Sequence, residues 1–144
     1  MLDEKTTTPY AALLLRVALG VLFLAHGALL KLGTFGLAGT MGYFGSIGYP
    51  PVLGAVVAFA ETLGGIALIA GGRVRVVSLL LLPILIGATV QHLGNGWLFT
   101  RQGGGWEFPA FWTVLLLVQA GLGAGAHALD PARLIGGRRE VAAA

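Results

Sequence analysis

The chain has 144 residues, 24 of them Gly and none Cys, with 56% hydrophobic and only 10% charged residues. Soluble domains carry about 25% charged residues, so there is too little polar surface here to coat a water-soluble globule. The apolar content excludes disorder, and size and composition together exclude a two-domain soluble enzyme. The missing Cys removes thiolate nucleophiles, C-x-x-C relays and sulfur-ligated metal sites.

Apolar runs cover about residues 10–30, 51–71, 74–93 and 108–129. Each is close to the ~20 residues a helix needs to cross ~30 Å of hydrocarbon. None alternates with period 2, which argues against a lipid-facing barrel, and backbone in lipid must bond internally, which leaves helices. The expected fold is all-α: a single-domain, integral membrane antiparallel four-helix bundle spanning residues 1–144. The first run is longer than the apolar part of a secretory signal, begins after Asp3 and Glu4, and is followed by three more runs. It reads as an uncleaved first helix.

Orientation follows from Lys and Arg in the short connections. Lys5, Arg73, Arg75, Arg133, Arg138 and Arg139 share one side, against Lys31 and Arg101 on the other. Both termini are therefore expected in the cytoplasm, with the bundle in the cytoplasmic (inner) membrane. The turn around Gly72 and Arg73 is so tight that the second and third helices must be antiparallel neighbours. The 31–50 connection is longer, with Gly at every third position from Gly33 to Gly48. It reads either as a short interfacial or re-entrant helix, favoured by Phe35, Tyr43, Phe44 and Ile47, or as a mobile loop. The 94–107 connection, with Trp97, Phe99 and Trp106, matches an aromatic interface belt.

Helices in lipid associate through small residues that permit close backbone approach. Gly54, Ala58, Glu61, Gly65 and Gly72 form such a stripe, as do Arg16, Gly20 and Gly27. Pro83, Gly87 and Gln91 form a third and Gln119, Gly123 and His127 a fourth, while Gly121 and Gly125 make a G-x-x-x-G suited to a homodimer. Polar and small residues thus share a face, as an inward polar seam requires.

An ionised side chain at the bilayer centre costs at least ~2.5–3.5 kcal/mol on insertion scales, so Arg16 and Glu61 need partners. From their places in the apolar runs they lie roughly 9 and 15 Å from the cytoplasmic end, close enough for an extended Arg16 to reach Glu61. Such an intramembrane ion pair either fixes helix register or leaves Glu61 to titrate in a carrier or redox site. At the outer end, His26, Lys31, His92 and Glu107 come from four separate segments to one depth, beside Gln91. They are the candidate ligand-binding group. Two imidazoles and a carboxylate can bind a metal, hydrogen-bond the carbonyls of a quinone, or supply haem axial ligands. Alternatively, histidines at helix ends simply meet water and headgroups. His127 sits at the opposite end and reads as helix-terminal decoration. No Walker loop, dinucleotide fingerprint, H-E-x-x-H or G-x-S-x-G is present. The basic tail of Arg133, Arg138 and Arg139 reads as a topology determinant, with no nucleic-acid partner expected.

The ordered set Arg16 to Lys31 (R-V-A-L-G-V-L-F-L-A-H-G-A-L-L-K), Glu61 to Gly72 (E-T-L-G-G-I-A-L-I-A-G-G) with Arg73, then His92, Gly104-Gly105-Trp106-Glu107 and Leu129-Asp130 resembles the DoxX family of small four-helix membrane proteins. The resemblance implies that Arg16, His26, Lys31, Glu61, His92 and Glu107 occupy the family's polar positions. It also implies a membrane component of an oxidoreductase system, with quinone as one candidate ligand, the cofactor itself left open, and a soluble partner carrying the redox chemistry. The family name is shared with a subunit of thiosulfate:quinone oxidoreductase. Without Cys, sulfur relay through this chain is implausible, so its part there would be binding, anchoring or proton transfer. The expected function is a membrane-anchoring or quinone-side subunit. The alternatives are a small transporter or channel with a titrating Glu61, and a non-catalytic membrane scaffold or assembly factor.

Overall fold

The computed structural model describes residues 3–129, which are helical without a strand among them. Arg133, Arg138 and Arg139, and the final Asp130 of the family-like motifs, lie outside the described residues. Helix α1 (Glu4–Leu24) continues without a break into a π-helical segment (Ala25–Thr34). Helix α2 (Gly36–Ser46) follows, then α3 (Pro51–Ala70), α4 (Val74–His92) with a 3₁₀ turn at Leu93–Asn95, and α5 (Glu107–Leu122). Glu4–Thr34, Pro51–Ala70 and Val74–Asn95 are long and apolar enough to cross a membrane, and α5 is a shorter apolar helix of 16 residues.

Two boundaries differ from the sequence reading, at the ends of the first and last apolar runs. The first helix runs on past residue 30 to Thr34, so Lys31 stands on a helix and not in a loop. In the π segment the backbone bonds reach one residue further back, as where the Phe35 N–H donates to the Leu30 carbonyl (2.8 Å). Of the two readings of the 31–50 connection, the helix is the one found: it contains α2, of 11 residues, tied at its centre by the Thr40 hydroxyl donating to the Lys31 carbonyl (2.8 Å). The last apolar run keeps helical form only to Leu122. Gly123 takes φ +80° and its carbonyl accepts from the Gln119 side-chain amide (2.7 Å), ending the helix. Gly125, also at positive φ, is off the helix, where a Cβ would press on the Pro9 carbonyl and Ala12. Gly121 and Gly125 therefore do not form a continuous helical stripe, nor do Gln119, Gly123 and His127.

Helices α1 and α3 pack through glycine. A Cβ on Gly20 would lie 2.8 Å from the Gly65 carbonyl, and one on Gly27 would lie 2.7 Å from the Thr62 amide. The stripe of small residues on α3 is buried as far as Gly65. Large side chains fill the other side of the bundle, where Leu19, Phe23, Leu68, Leu81, Leu85, Trp112 and Leu116 form one core. Helix α3 ends in a Schellman motif: Gly72 N–H donates to the Ala67 carbonyl and Gly71 N–H to the Leu68 carbonyl, with Gly71 left-handed at φ +83°. Arg73, also left-handed, completes the tight turn into antiparallel α4. The outward faces are apolar, as with Leu14, Leu63 and Leu80, each more than 60% exposed. In water these would be an association liability; in lipid they are ordinary.

Candidate functional site

The register of α1 against α3 decides which charges can meet. Gly20 faces Gly65 and Gly27 faces Glu61 and Thr62, so Arg16 lies level with the C-terminal end of α3. The stretch of helix from Arg16 to Gly27 rises roughly 16 Å at ~1.5 Å per residue, too far for an arginine side chain to cross. The expected Arg16–Glu61 ion pair is therefore not formed. Arg16 is fully buried and donates from Nη1 to the carbonyls of Leu68 (3.0 Å) and Ile69 (2.8 Å). Its Nη2 donates to the carbonyls of Ala126 (3.1 Å) and His127 (3.3 Å). The last carbonyls of a helix lack intrahelical partners and carry partial negative charge. The guanidinium serves two of those of α3, at Leu68 and Ile69, and ties the segment after α5 to them.

Glu61 pairs with Lys31. The Lys31 Nζ donates to Glu61 Oε2 at 2.7 Å, with the two side chains 20% and 5% exposed. Gly27 makes this possible, because its missing side chain brings α3 against the π segment one turn before Lys31. Thr40 holds the Lys31 backbone from the other side. A lysine ammonium has three donors, so the pair leaves Lys31 with hydrogen-bonding capacity toward the cavities it lines.

Two such cavities meet at Lys31. One, of about 400 Å³, lies between α2, α3 and α4, with Lys31, Glu61, Gln91 and His92 as its polar groups and otherwise mainly apolar walls. The second, of about 440 Å³, lies between the π segment and α2 and includes His26, Lys31 and Thr40. Tyr43 and Phe44 of α2 border both. His26 and His92 are held alike. Each Nδ1 contacts the carbonyl four residues earlier, Leu22 at 2.9 Å and Ala88 at 2.7 Å. A carbonyl can only accept, so Nδ1 carries the proton and Nε2 is left for another partner. The His26 ring also packs on Trp112, with centroids 5.0 Å apart.

Of the four residues expected to converge at the outer end, Lys31 and His92 share one cavity, and Lys31 and His26 share the other. Glu107 lines neither. Its Oε1 accepts from the Phe99 N–H (2.8 Å), and its own N–H donates to the Trp97 carbonyl (3.2 Å). Both bonds fold the 96–107 loop, in which Trp97 and Trp106 meet edge to face at 4.5 Å. Among the described residues no three His, Asp or Glu side chains gather as a metal-binding group, so the two-imidazole-and-carboxylate metal set is not assembled. His127 stands in a turn at φ +49°, its ring 6.1 Å from that of Tyr10. Sequence reasoning passed over Thr40, whose signal was only its place in the glycine-rich connection.

A family model described as DoxX matches residues 11–94. That stretch runs from α1 through the end of α4 and contains Arg16, His26, Lys31, Glu61 and His92, but not Glu107. No curated protein and no solved structure matches the chain.

Proposed function

The chain belongs to the DoxX family, and from that premise we propose that it holds a quinone-type ligand at the Lys31–Glu61 pair, as the membrane-anchoring or quinone-side subunit of an oxidoreductase system. In this reading it crosses the cytoplasmic membrane four times with both termini inside. Helix α5, rising ~24 Å over 16 residues, makes the fourth crossing, with the aromatic loop before it seated in the interface. Lys5, Arg73 and Arg75 at one end of the bundle, against Arg101 at the other, support this orientation.

The observation that carries the proposal is an intramembrane ion pair at the edge of a ligand-sized cavity. Ionisable groups inside a membrane mark function by default, and about 400 Å³ falls within the ~300–1,000 Å³ of small-molecule sites. Lys31 and Glu61 together are neutral, so the site favours a neutral polar head over an anion. The remaining Lys31 donors suit a carbonyl oxygen, the acceptor Nε2 of His92 in the same cavity suits a hydroxyl of the reduced form, and the apolar walls suit a ring. Reducing a quinone to a quinol takes two electrons and two protons. The electrons come from the partner that carries the redox cofactor, and Glu61 and His92 are the groups beside the ligand able to exchange protons. The test is organic extraction of the protein purified in mild detergent, followed by quinone analysis. Quinone recovered from the wild type and lost in Lys31→Met/Glu61→Leu is the expected result. A wild-type preparation that neither retains nor rebinds any quinone overturns the proposal.

A second reading, a small carrier whose Glu61 titrates during passage, draws on the two cavities meeting at Lys31. It requires a pH-dependent solute flux in proteoliposomes that Glu61→Gln abolishes.

A further inference from the structure

Glycine in the middle of a spanning helix costs about 1 kcal/mol relative to alanine. Gly20, Gly27 and Gly65 offset that cost by close packing, since a Cβ at any of them would collide with the facing helix. Gly87 on α4 has no such reason. Nothing lies within 4 Å of where its Cβ would be, and its φ is not in the left-handed region. Yet it lines the cavity that contains Lys31 and Glu61. The room left by its missing side chain is used by no part of the described chain.

The cavity lies between helices that do not close on each other. Helix α2 packs on α3 and the π segment, while α4 packs on α3 and α5, and α2 and α4 share no extensive interface. Pro83 and Ile84, one turn before Gly87, line the α4 side of this gap, and Tyr43 and Ile47 line the α2 side. Leu80, Ile86 and Val90 of α4 are all more than half exposed, so on a membrane-spanning helix they face acyl chains. The gap between α2 and α4 borders this lipid-facing surface, and the ion pair is among the residues that line it.

We infer that the slot between α2 and α4 is a lateral entrance for a ligand that combines a carbonyl-bearing ring with a long apolar tail, and that Gly87 keeps the slot open. This rests on the ligand site proposed above and adds the tail and the route. The cavity, near the small end of the range for ligand sites, takes the ring and the first part of the tail. The rest of the tail stays in the bilayer, so the ligand need never cross water, and Gly87 sets the girth the slot accepts.

The experiment uses the full chain in phosphatidylcholine nanodiscs and two probes, a tailless dimethoxy-methyl-benzoquinone and the same ring bearing a decyl chain. Gly87→Leu fills the slot. Gly121→Leu, on α5 with equally open surroundings and lining neither cavity, is the control. The leucine side chain would occupy the room the tail needs, so binding of the decyl probe is expected to fall about tenfold or more in Gly87→Leu and to be unchanged in Gly121→Leu. Decyl-probe binding by Gly87→Leu equal to wild type overturns the lateral entrance while the ligand site stands. Failure of both probes to bind the wild type overturns the ligand site and the entrance together. A decyl probe carrying a diazirine on its chain tests the route without any substitution. Photolabelling of α2 and α4 beside the slot supports it, and labelling confined to α1 and α5 overturns it.

Discussion

Arg16 and Lys31 show how differently two cations are accommodated in one apolar chain. Among the described residues Arg16 meets no carboxylate and is held by four backbone carbonyls, a planar fork matched to a helix end. Arg16→Met takes this donor from the Ile69, Ala126 and His127 carbonyls, while Leu68 keeps the Gly71 N–H; at about 1–3 kcal/mol for each buried unpaired group, the thermal midpoint in detergent should fall by the equivalent of about 3 kcal/mol or more. Arg16→Lys should rescue little, because a single ammonium cannot span both groups of carbonyls. A wild-type midpoint in either variant would contradict the capping role. Lys31 is the opposite case. Removing it alone leaves Glu61 charged and buried, a loss of about 3–5 kcal/mol, whereas Lys31→Met/Glu61→Leu should recover most of the stability. Denaturation of the two variants side by side checks this, and equal stability would argue that the pair is solvated. That Arg16 and Glu61 were exceptional was legible, since each interrupts an apolar run. Their partners were not. Carbonyls carry no sequence signal, and Lys31 reads as a loop residue unless the helix is known to continue as a π segment.

At the scale of elements, small residues decide which helices approach. The α3 stripe was legible from its spacing because Gly54, Ala58, Glu61 and Gly65 all fall on the buried face. Gly20→Leu and Gly65→Leu should each abolish folding or cost several kcal/mol, since both place side-chain atoms on a facing backbone. Gly121→Leu should be nearly neutral. Thermal unfolding of the three variants tests the packing scheme, and a stable Gly20→Leu protein would break it. The end of α5 was not legible. The apolar composition runs on to Leu129, and only backbone geometry at Gly123 and Gly125 shows where the helix stops. In α2 the aromatic residues hinted at a helix, but the period-three glycines obscured it. Beside its packing on α3, one hydroxyl ties it to the Lys31 backbone, so Thr40→Val should cost about 1 kcal/mol and weaken ligand binding by loosening Lys31. Binding as tight as wild type in a normally stable Thr40→Val protein would show that Lys31 is positioned without it.

Across the whole molecule, an apolar exterior surrounds a sparse polar interior, and composition alone foretold that arrangement. The polar groups divide by role along the bundle. Arg16 binds helix ends together near the α3–α4 turn, Glu107 folds the loop before α5, and Lys31, Glu61 and His92 surround usable space. Sequence reasoning gathered the outer residues by depth alone. Depth could not reveal that Glu107 turns to the loop, or that Lys31 turns inward to Glu61. The central claim is that Lys31 donates to a carbonyl of a ring-headed ligand in that space. Infrared difference spectra of the nanodisc-embedded protein, with a benzoquinone labelled with carbon-13 at its carbonyls, test it directly. The wild type should lower one labelled carbonyl stretch through the charged hydrogen bond, and Lys31→Met/Glu61→Leu should remove that shift while remaining folded. A bound quinone whose carbonyl frequencies match those in plain lipid, or a shift that survives in the double variant, would contradict the account.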